Sequence, residues 1–239
     1  MNWNLKSGVL IVGSLLWQDY VHIKGDDIRR NWRDFKLDLD NKIAVKVPIR
    51  YGRLSSSKIP TIVFSNKMKN KLGFAYVVPL KSPINNHDQL ICEAMALSVA
   101  EGMRGNFVMS WGILTYLINE KKINPEIKNM IVKCFRNKKN QSFAPKDYKV
   151  GREISCVTLS LKLNIDWIQT LVPSDQDRLS QFDLLLATAT KPENEMLGIE
   201  KIAERIIADL ERRYFLNNIS HGIITYNDFE ISKRLDKGQ

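Results

Sequence analysis

Two short stretches in the first half of the chain have residue types that could bind an anion and transfer a proton. Gly13 and Ser14 follow the apolar run 8–12, a pattern that predicts a buried strand ending in a tight turn. Such a turn leaves the backbone N–H groups around Gly13, Ser14 and Leu15 free to hold a carboxylate. A Gly-Ser pair after a strand is common, so this turn alone does not identify a ligand site.

Glu101 is the second candidate, at the end of a helix that the sequence predicts over 88–100. Asn86 suits the N-cap and Gly102 suits the C-terminal stop. The apolar stripe of this helix consists of Leu90, Ala94 and Leu97. Glu101 continues that stripe, since eleven residues from Leu90 make three turns plus about 20° at ~100° per residue. The pattern therefore predicts an inward-facing carboxyl.

The predicted position of Glu101 favours proton transfer. Burial and the negative end of the helix dipole both raise the pKa of a carboxyl group. A raised pKa suits a general acid or base near neutral pH. The alternative is a charged helix end beside a C-capping glycine.

Arginine and tyrosine side chains provide further candidates. Arg53, near a predicted strand end, can reach the pocket of Ser14 and bind a carboxylate or phosphate; an ion pair at the rim is the alternative. Tyr116 ends a predicted strand and can contribute a hydroxyl group, with a core role as the alternative. On the predicted helix 26–37, three arginines are expected to form a solvated face around a buried Trp32: Arg29, Arg30 and Arg33.

Hydrophobic periodicity predicts the elements that must position these residues. Strands are expected at 8–12, 44–51, 61–64, 74–78, 109–118, 154–163 and 182–190. Helices are expected at 26–37, 88–100, 125–136, 199–216 and 222–235, with Leu210 and Tyr214 in the apolar stripe of the fourth. Strands and helices do not alternate strictly, so the pattern predicts an α+β fold with a largely closed mixed sheet.

The positive charge is concentrated in two segments. The chain of 239 residues has a formal net charge of +10, and 44% of its residues are hydrophobic, enough for a core. Residues 41–81 contain nine basic residues and no acids, and residues 121–152 contain ten basic residues against two acids. A continuous basic face built from both segments could hold nucleic acid or an acidic partner. Codon bias that enriches Lys, Asn and Ile is the alternative explanation.

Other features argue against metal sites and membrane spans. Cys92, Cys134 and Cys156 are far apart and form no CxxC pair, and the three histidines are isolated. We therefore expect no metal and no cofactor. The apolar run 8–17 is shorter than the ~20 residues that cross a bilayer. We expect no membrane contact and a cytoplasmic location.

Three motifs, taken in order, resemble the gamma-glutamyl cyclotransferase-like superfamily. They are Ile11-Val-Gly-Ser-Leu-Leu-Trp17, Ile49-Arg-Tyr-Gly-Arg53 and Leu97-Ser-Val-Ala-Glu-Gly102. Members of this family typically open with a strand running into Tyr-Gly-Ser-Leu and carry an acidic catalytic residue in a Leu-Asp-x-x-Glu-Gly helix end. The resemblance covers 8–118. Val12 replaces the family's loop aromatic, and Ser98 replaces its aspartate.

The resemblance implies an architecture. It is a single elaborated domain over 1–239, with a small mixed-sheet distorted barrel at 8–118. A basic insertion or added lobe follows at 119–181, and a strand with C-terminal helices at 182–239.

The resemblance also implies an activity of acyltransferase or lyase type without a cofactor. A gamma-glutamyl amide would be cyclised to 5-oxoproline with release of an amine, and Glu101 would move the proton. The small carboxylate-bearing substrate would be bound by Gly13, Ser14, Leu15, Leu16, Arg53 and Tyr116. The alternative functions are a non-catalytic binding module on the same fold, holding an anionic ligand, nucleic acid or protein partner through the basic segments, or a structural subunit.

Overall fold

The computed structural model of the protein describes residues 3–21, 26–68, 70–139, 143–209 and 213–237. Their eight strands and seven α-helices form a mixed α+β fold, which confirms the predicted class. The strands are β1 (Ser7–Ile11), β2 (Ile43–Val47), β3 (Ile49–Leu54), β4 (Pro60–Phe64), β5 (Gly73–Pro79), β6 (Gly112–Ile118), β7 (Gln169–Thr170) and β8 (Leu184–Thr190). The helices are α1 (Ile28–Lys36), α2 (His87–Ala100), α3 (Pro125–Lys138), α4 (Gln176–Ser180), α5 (Ile199–Ala208), α6 (Arg213–Ser220) and α7 (Asp228–Lys237).

The main sheet has six strands in the order β6-β8-β1-β5-β2-β7. All five residues of β1 are buried because this strand lies between two others, antiparallel to β5 and parallel to β8. Leu10 pairs with Ala187, so the carboxyl ends of β1 and β8 meet at one edge of the sheet. The turn at Gly13 therefore lies beside the last residues of β8.

The predicted strand 44–51 is wrong as a single element. Pro48 separates β2, which belongs to the main sheet, from β3, which pairs only with β4. Proline has no N–H group to donate to a continuous ladder, which explains the break. In the β3–β4 hairpin, the register shifts between Tyr51 and Arg53, leaving Gly52 as a bulge.

Strand pairing among the described residues does not form a closed barrel. β6 and β7 are the two edges of the main sheet. Outside the named strands, β6 makes two isolated bridges in the described residues, antiparallel between Ile113 and Val108 and parallel between Tyr116 and Lys162. The strand expected at 154–163 is absent there because the chain turns back on itself: Thr158 N donates to Lys162 O at 2.9 Å, and Leu161 has a φ of 63°.

The helix ends agree with the sequence in α2 and differ in the C-terminal part. Asn86 caps α2 by accepting from Gln89 N at 2.9 Å, and Gly102 takes a φ of 81° just after its end. The helix expected over 199–216 is instead two helices, α5 and α6. Leu210 of that prediction and Lys69 of the first basic segment lie outside the described residues. None of the helices within the described ranges is long and apolar enough to cross a membrane.

Candidate functional site

A pocket of about 330 Å³ opens where the turn after β1 meets the ends of α2 and β8. Gly13, Ser14, Leu15 and Glu101 all line it, as the sequence motifs predicted. The β3–β4 hairpin contributes one wall, including Arg53. Residues far apart in sequence thus surround one small space.

The turn after β1 is a single 3₁₀ turn over Ser14–Leu16. Leu16 N donates to Gly13 O, and Trp17 N donates to Ser14 O, each at 3.1 Å. Leu16 is therefore not placed to bind a ligand through its N–H group, and it does not line the pocket. Ser14 and Leu15 are the first two residues of the turn. Their N–H groups have no partners within it, because the first N–H groups of a helical turn never do.

Arg29 connects the turn to the end of α2. Its Nε donates to Ala100 O at 2.9 Å, and its Nη1 donates to Ser14 Oγ at 3.0 Å and to Gln18 Oε1 at 2.6 Å. Its Nη2 lies 3.3 Å from Glu101 Oε2. The expected solvated arginine face is therefore wrong at Arg29.

The same correction applies to Arg33, which is also buried. Its Nη1 donates to Leu15 O at 2.9 Å and to Gln18 O at 2.7 Å. The spacing of these residues could have predicted their burial. Arg29 and Arg33 lie three residues before and one residue after the buried Trp32, so all three share one face of α1. Together they fix the main chain of the turn from the side of α1.

Glu101 is the C-cap of α2, and its side chain is only 16% exposed. Burial raises the pKa of this carboxyl above its ordinary value, against the opposing charge of Arg29 and the nearby hydroxyl of Thr188. Desolvation therefore outweighs the arginine. The carboxyl is inward-facing, ion-paired and easier to protonate than a free glutamate.

Two further pocket residues come from the second half of the chain and were not predicted as site residues. Thr188 on β8 has a buried hydroxyl group that lies beside Glu101 but makes no hydrogen bond within the described residues. Tyr214 on α6 lines the pocket across from Gly13. The sequence placed Tyr214 in an apolar helical stripe, which predicted a core role. Contacts between residues far apart in the chain bring it to the pocket.

The structure separates Arg53 from Tyr116. Arg53 lines the pocket and donates from Nη1 to Lys191 O at 3.1 Å. Tyr116 lies in the core on β6, with its ring centroid 4.4 Å from that of Phe135, and does not line the pocket. Its predicted role in substrate binding is therefore corrected to packing, because every residue of β6 is buried.

The two basic segments meet at a separate groove. Asn66 and Lys67 of the first segment and Val150 and Arg152 of the second line it. Below it, the buried Arg50 lies 3.9 Å from Glu153. This contact joins the first segment to the residue that follows the second, and a single continuous basic face stays a prediction.

No protein-family model, curated protein or solved structure matches this chain. The resemblance to the cyclotransferase-like superfamily therefore depends on the three sequence motifs.

Proposed function

We propose that the protein is a gamma-glutamyl cyclotransferase-like enzyme, cyclising a gamma-glutamyl amide to 5-oxoproline with release of an amine. The observation that carries this proposal is the Arg29 bridge, which joins Ser14 of the turn to Glu101 in one pocket. The proposal includes a distorted barrel of the family type, in which the strand pairing stays open between β6 and β7. The turn and Glu101, which belong to two of the three motifs, line one pocket, and this supports the proposal.

The charges of the pocket suit the α-amino acid end of a glutamyl group. Arg53 uses one donor on Lys191 O, which leaves guanidinium N–H groups for a carboxylate. The N–H groups of Ser14 and Leu15 offer a second set of donors. Glu101 provides the acceptor for an amine. The volume of about 330 Å³ falls at the small end of ligand pockets, which span roughly 300–1,000 Å³.

The proposed reaction needs one proton acceptor and no water. The carboxylate of Glu101 takes one proton from the neutral α-amine of the substrate as its nitrogen bonds to the γ-carbonyl carbon. The amide C–N bond breaks, and Glu101 returns the proton to the departing nitrogen. The raised pKa of Glu101 brings the carboxyl nearer to the value that serves both steps at neutral pH.

The two departures from the family motif have defined places. Val12 lines the pocket and gives it an aliphatic wall where the family has an aromatic ring. Ser98 is buried and donates from Oγ to Asn106 O at 2.6 Å, which holds the loop after α2. Val12 therefore bears on substrate choice, whereas Ser98 supports the helix end that carries Glu101.

The test is a search for 5-oxoproline. Purified protein is incubated with gamma-glutamyl amines, gamma-glutamyl dipeptides and glutathione, and the products are separated by chromatography. We expect 5-oxoproline from at least one class and none from the matched α-glutamyl compounds. Absence of 5-oxoproline from all three classes would contradict the proposal.

A second candidate, polyanion binding, is favoured by the last turns of α3. Four exposed cations there have no ion-pair partner among the described residues: Lys133, Arg136, Lys138 and Lys139. By contrast, Lys128 and Lys162 on the neighbouring surface both pair with Glu120. The test replaces all four with Gln. If these cations bind nucleic acid phosphates, the slope of log binding constant against log salt concentration should then become less steep by about 0.9 for each phosphate contact that is lost.

A matched variant controls for net charge in that test. It replaces four cations of the C-terminal helices with Gln: Lys201, Arg205, Lys233 and Arg234. Binding to oligonucleotides is measured by fluorescence anisotropy over a series of salt concentrations. An equal effect of both variants would contradict a site on α3.

A further inference from the structure

We propose that the hydroxyl of Tyr214 is a second catalytic group of this site, donating a hydrogen bond to the γ-carbonyl oxygen of the substrate. This inference rests on the proposed cyclotransferase function. It assigns a catalytic role to the C-terminal part of the chain, which the three motifs do not cover.

The first observation is the close approach of this hydroxyl to Gly13. A Cβ atom at Gly13 would lie 2.8 Å from the Tyr214 hydroxyl oxygen and 3.9 Å from its Cζ. The φ of Gly13 is −168°, an extended value that any residue adopts. The position therefore needs glycine for space, and the space is filled by the phenol oxygen.

The second observation places this hydroxyl beside the other reactive groups. Tyr214 lines the same pocket as Ser14, Arg29 and Glu101. It is close enough to Glu101 and Arg29 for their charges to act on its ionisation. An atom bound between the turn and Glu101 can thus reach the phenol oxygen.

The third observation concerns protonation. Burial raises the pKa of the Tyr214 hydroxyl, against the nearby polar groups of Ile62 and Asn218, and the charge of Glu101 raises it further. The hydroxyl therefore stays protonated at neutral pH and acts as a donor.

The fourth observation is that the tyrosine is held in place from two sides. Its ring meets that of Trp17 edge-on at 6.0 Å between centroids. Trp17 Nε1 also donates to Asn218 Oδ1 at 2.9 Å, one helical turn after Tyr214 on α6. Trp17 ends the turn that begins at Gly13, so the turn and α6 are fixed to each other.

The chemistry needs such a donor. When the α-amine nitrogen attacks, the electron pair of the C=O bond moves onto the γ-oxygen, and negative charge develops there. A hydrogen bond from the phenol stabilises this oxyanion without transferring the proton. When the C–N bond breaks, the electron pair returns to re-form the carbonyl of 5-oxoproline. Loss of one donor of this kind typically lowers kcat about 10²–10³-fold.

The test combines Tyr214→Phe with Gly13→Ala. Phenylalanine keeps the contact with Trp17 and removes only the hydroxyl, so we expect kcat to fall about 10²-fold, with little change in KM and in melting temperature. Gly13→Ala displaces the hydroxyl in the wild type and should also lower kcat. In the Tyr214→Phe variant, the alanine Cβ would lie at an ordinary contact distance from the phenyl ring. Gly13→Ala should therefore have almost no further effect there. Tyr76→Phe on β5, outside the pocket, is the control for loss of a phenol group.

The outcomes separate this inference from the proposed function. Wild-type protein that forms no 5-oxoproline overturns both. Active wild type with an equally active Tyr214→Phe variant overturns the inference alone. A raised KM with unchanged kcat would make Tyr214 a substrate-binding group and overturn its catalytic role. Additive losses in the double variant would contradict the displacement of the hydroxyl by alanine.

Discussion

Arg29 Nη2 lies 3.3 Å from Glu101 Oε2 while Nη1 of the same guanidinium donates to Ser14 Oγ at 3.0 Å. One side chain from α1 therefore sets the distance between the turn after β1 and the carboxyl at the end of α2. Both groups belong to motifs recognisable in the sequence, whereas the residue that joins them belongs to neither. The bridge makes the stability of the pocket depend on Arg29.

Replacing Arg29 with Met should lower the free energy of unfolding by about 3–5 kcal/mol, because a buried carboxylate loses its ionic partner. The double variant Arg29→Met, Glu101→Gln should lose less than the sum of the single changes, since no buried charge is left unpaired. Urea unfolding at pH 7 measures both. Arg30→Met is the control, because its ion pair with Asp27 is exposed and is expected to contribute about 0–1 kcal/mol. Equal losses at positions 29 and 30 would contradict the bridging role.

Glu101→Gln should lower turnover of a gamma-glutamyl amide about 10²–10⁴-fold, because glutamine cannot accept the proton. The melting temperature should fall, because the buried Arg29 guanidinium loses its carboxylate partner and keeps only neutral acceptors such as Ala100 O and Gln18 Oε1. Glu93→Gln is the matched control on the same helix, where the carboxylate pairs with Lys36 outside the pocket. Activity of the Glu101→Gln variant at the wild-type level would exclude a catalytic role.

Arg53→Gln should raise KM about 10-fold or more with a smaller change in kcat, because a charged hydrogen bond to a carboxylate contributes about 1.5–3 kcal/mol. Lys58→Gln, an exposed cation after the same hairpin strand, controls for charge alone. Initial rates over a range of substrate concentrations separate the two constants. An unchanged KM would remove Arg53 from substrate binding.

Asp228, the first residue of α7, should make stability depend on pH. It is buried, and its Oδ2 makes no hydrogen bond within the described residues. Burial raises its pKa from 3.8 to about 6, against hydrogen bonds from Thr225. Desolvation thus outweighs the favourable end of the helix dipole.

The sign of this effect follows from the raised pKa. The folded state binds the proton more tightly than the unfolded state, so the stabilisation is complete below about pH 3.8 and is lost as pH rises through about 6. Asp228→Asn removes the titration and should be more stable than wild type by about 1–3 kcal/mol at pH 7.5. The two proteins should converge near pH 4. Denaturant unfolding at both pH values measures the difference, and a gap that widens toward pH 4 would contradict the assignment.

Local patterns predicted the features that depend on neighbouring residues. The apolar stripe of α2 gave the inward direction of Glu101, because helical spacing fixes which residues share a face. Asn86 and Gly102 marked the two ends of α2 because capping is a local interaction. The turn at Gly13 followed from the end of a buried strand.

Long-range packing decided the features that the sequence did not predict. The alternation in 154–163 is typical of a strand, yet no neighbour pairs with it along its length, and it folds back at Leu161. A charged residue such as Arg29 is expected at the surface. Its burial is explained by its partners on α2 and in the turn, which are distant in sequence. Thr188 reaches the pocket through the parallel pairing of β1 with β8, which is separated from β1 by more than half of the chain. Tyr214 reaches it through the contacts of α6 with Trp17.

The parallel pairing of β1 with β8 also has a consequence for the order of folding. β1 is synthesised before the other described strands, but one of its two neighbours in the sheet, β8, is complete only at Thr190. Until then a strand that is entirely buried in the finished fold has an open hydrogen-bonding edge, and contacts of such large sequence separation form slowly. The unfinished chain is therefore exposed to aggregation during synthesis, and the wall of the pocket formed by β8 is among the last parts to assemble.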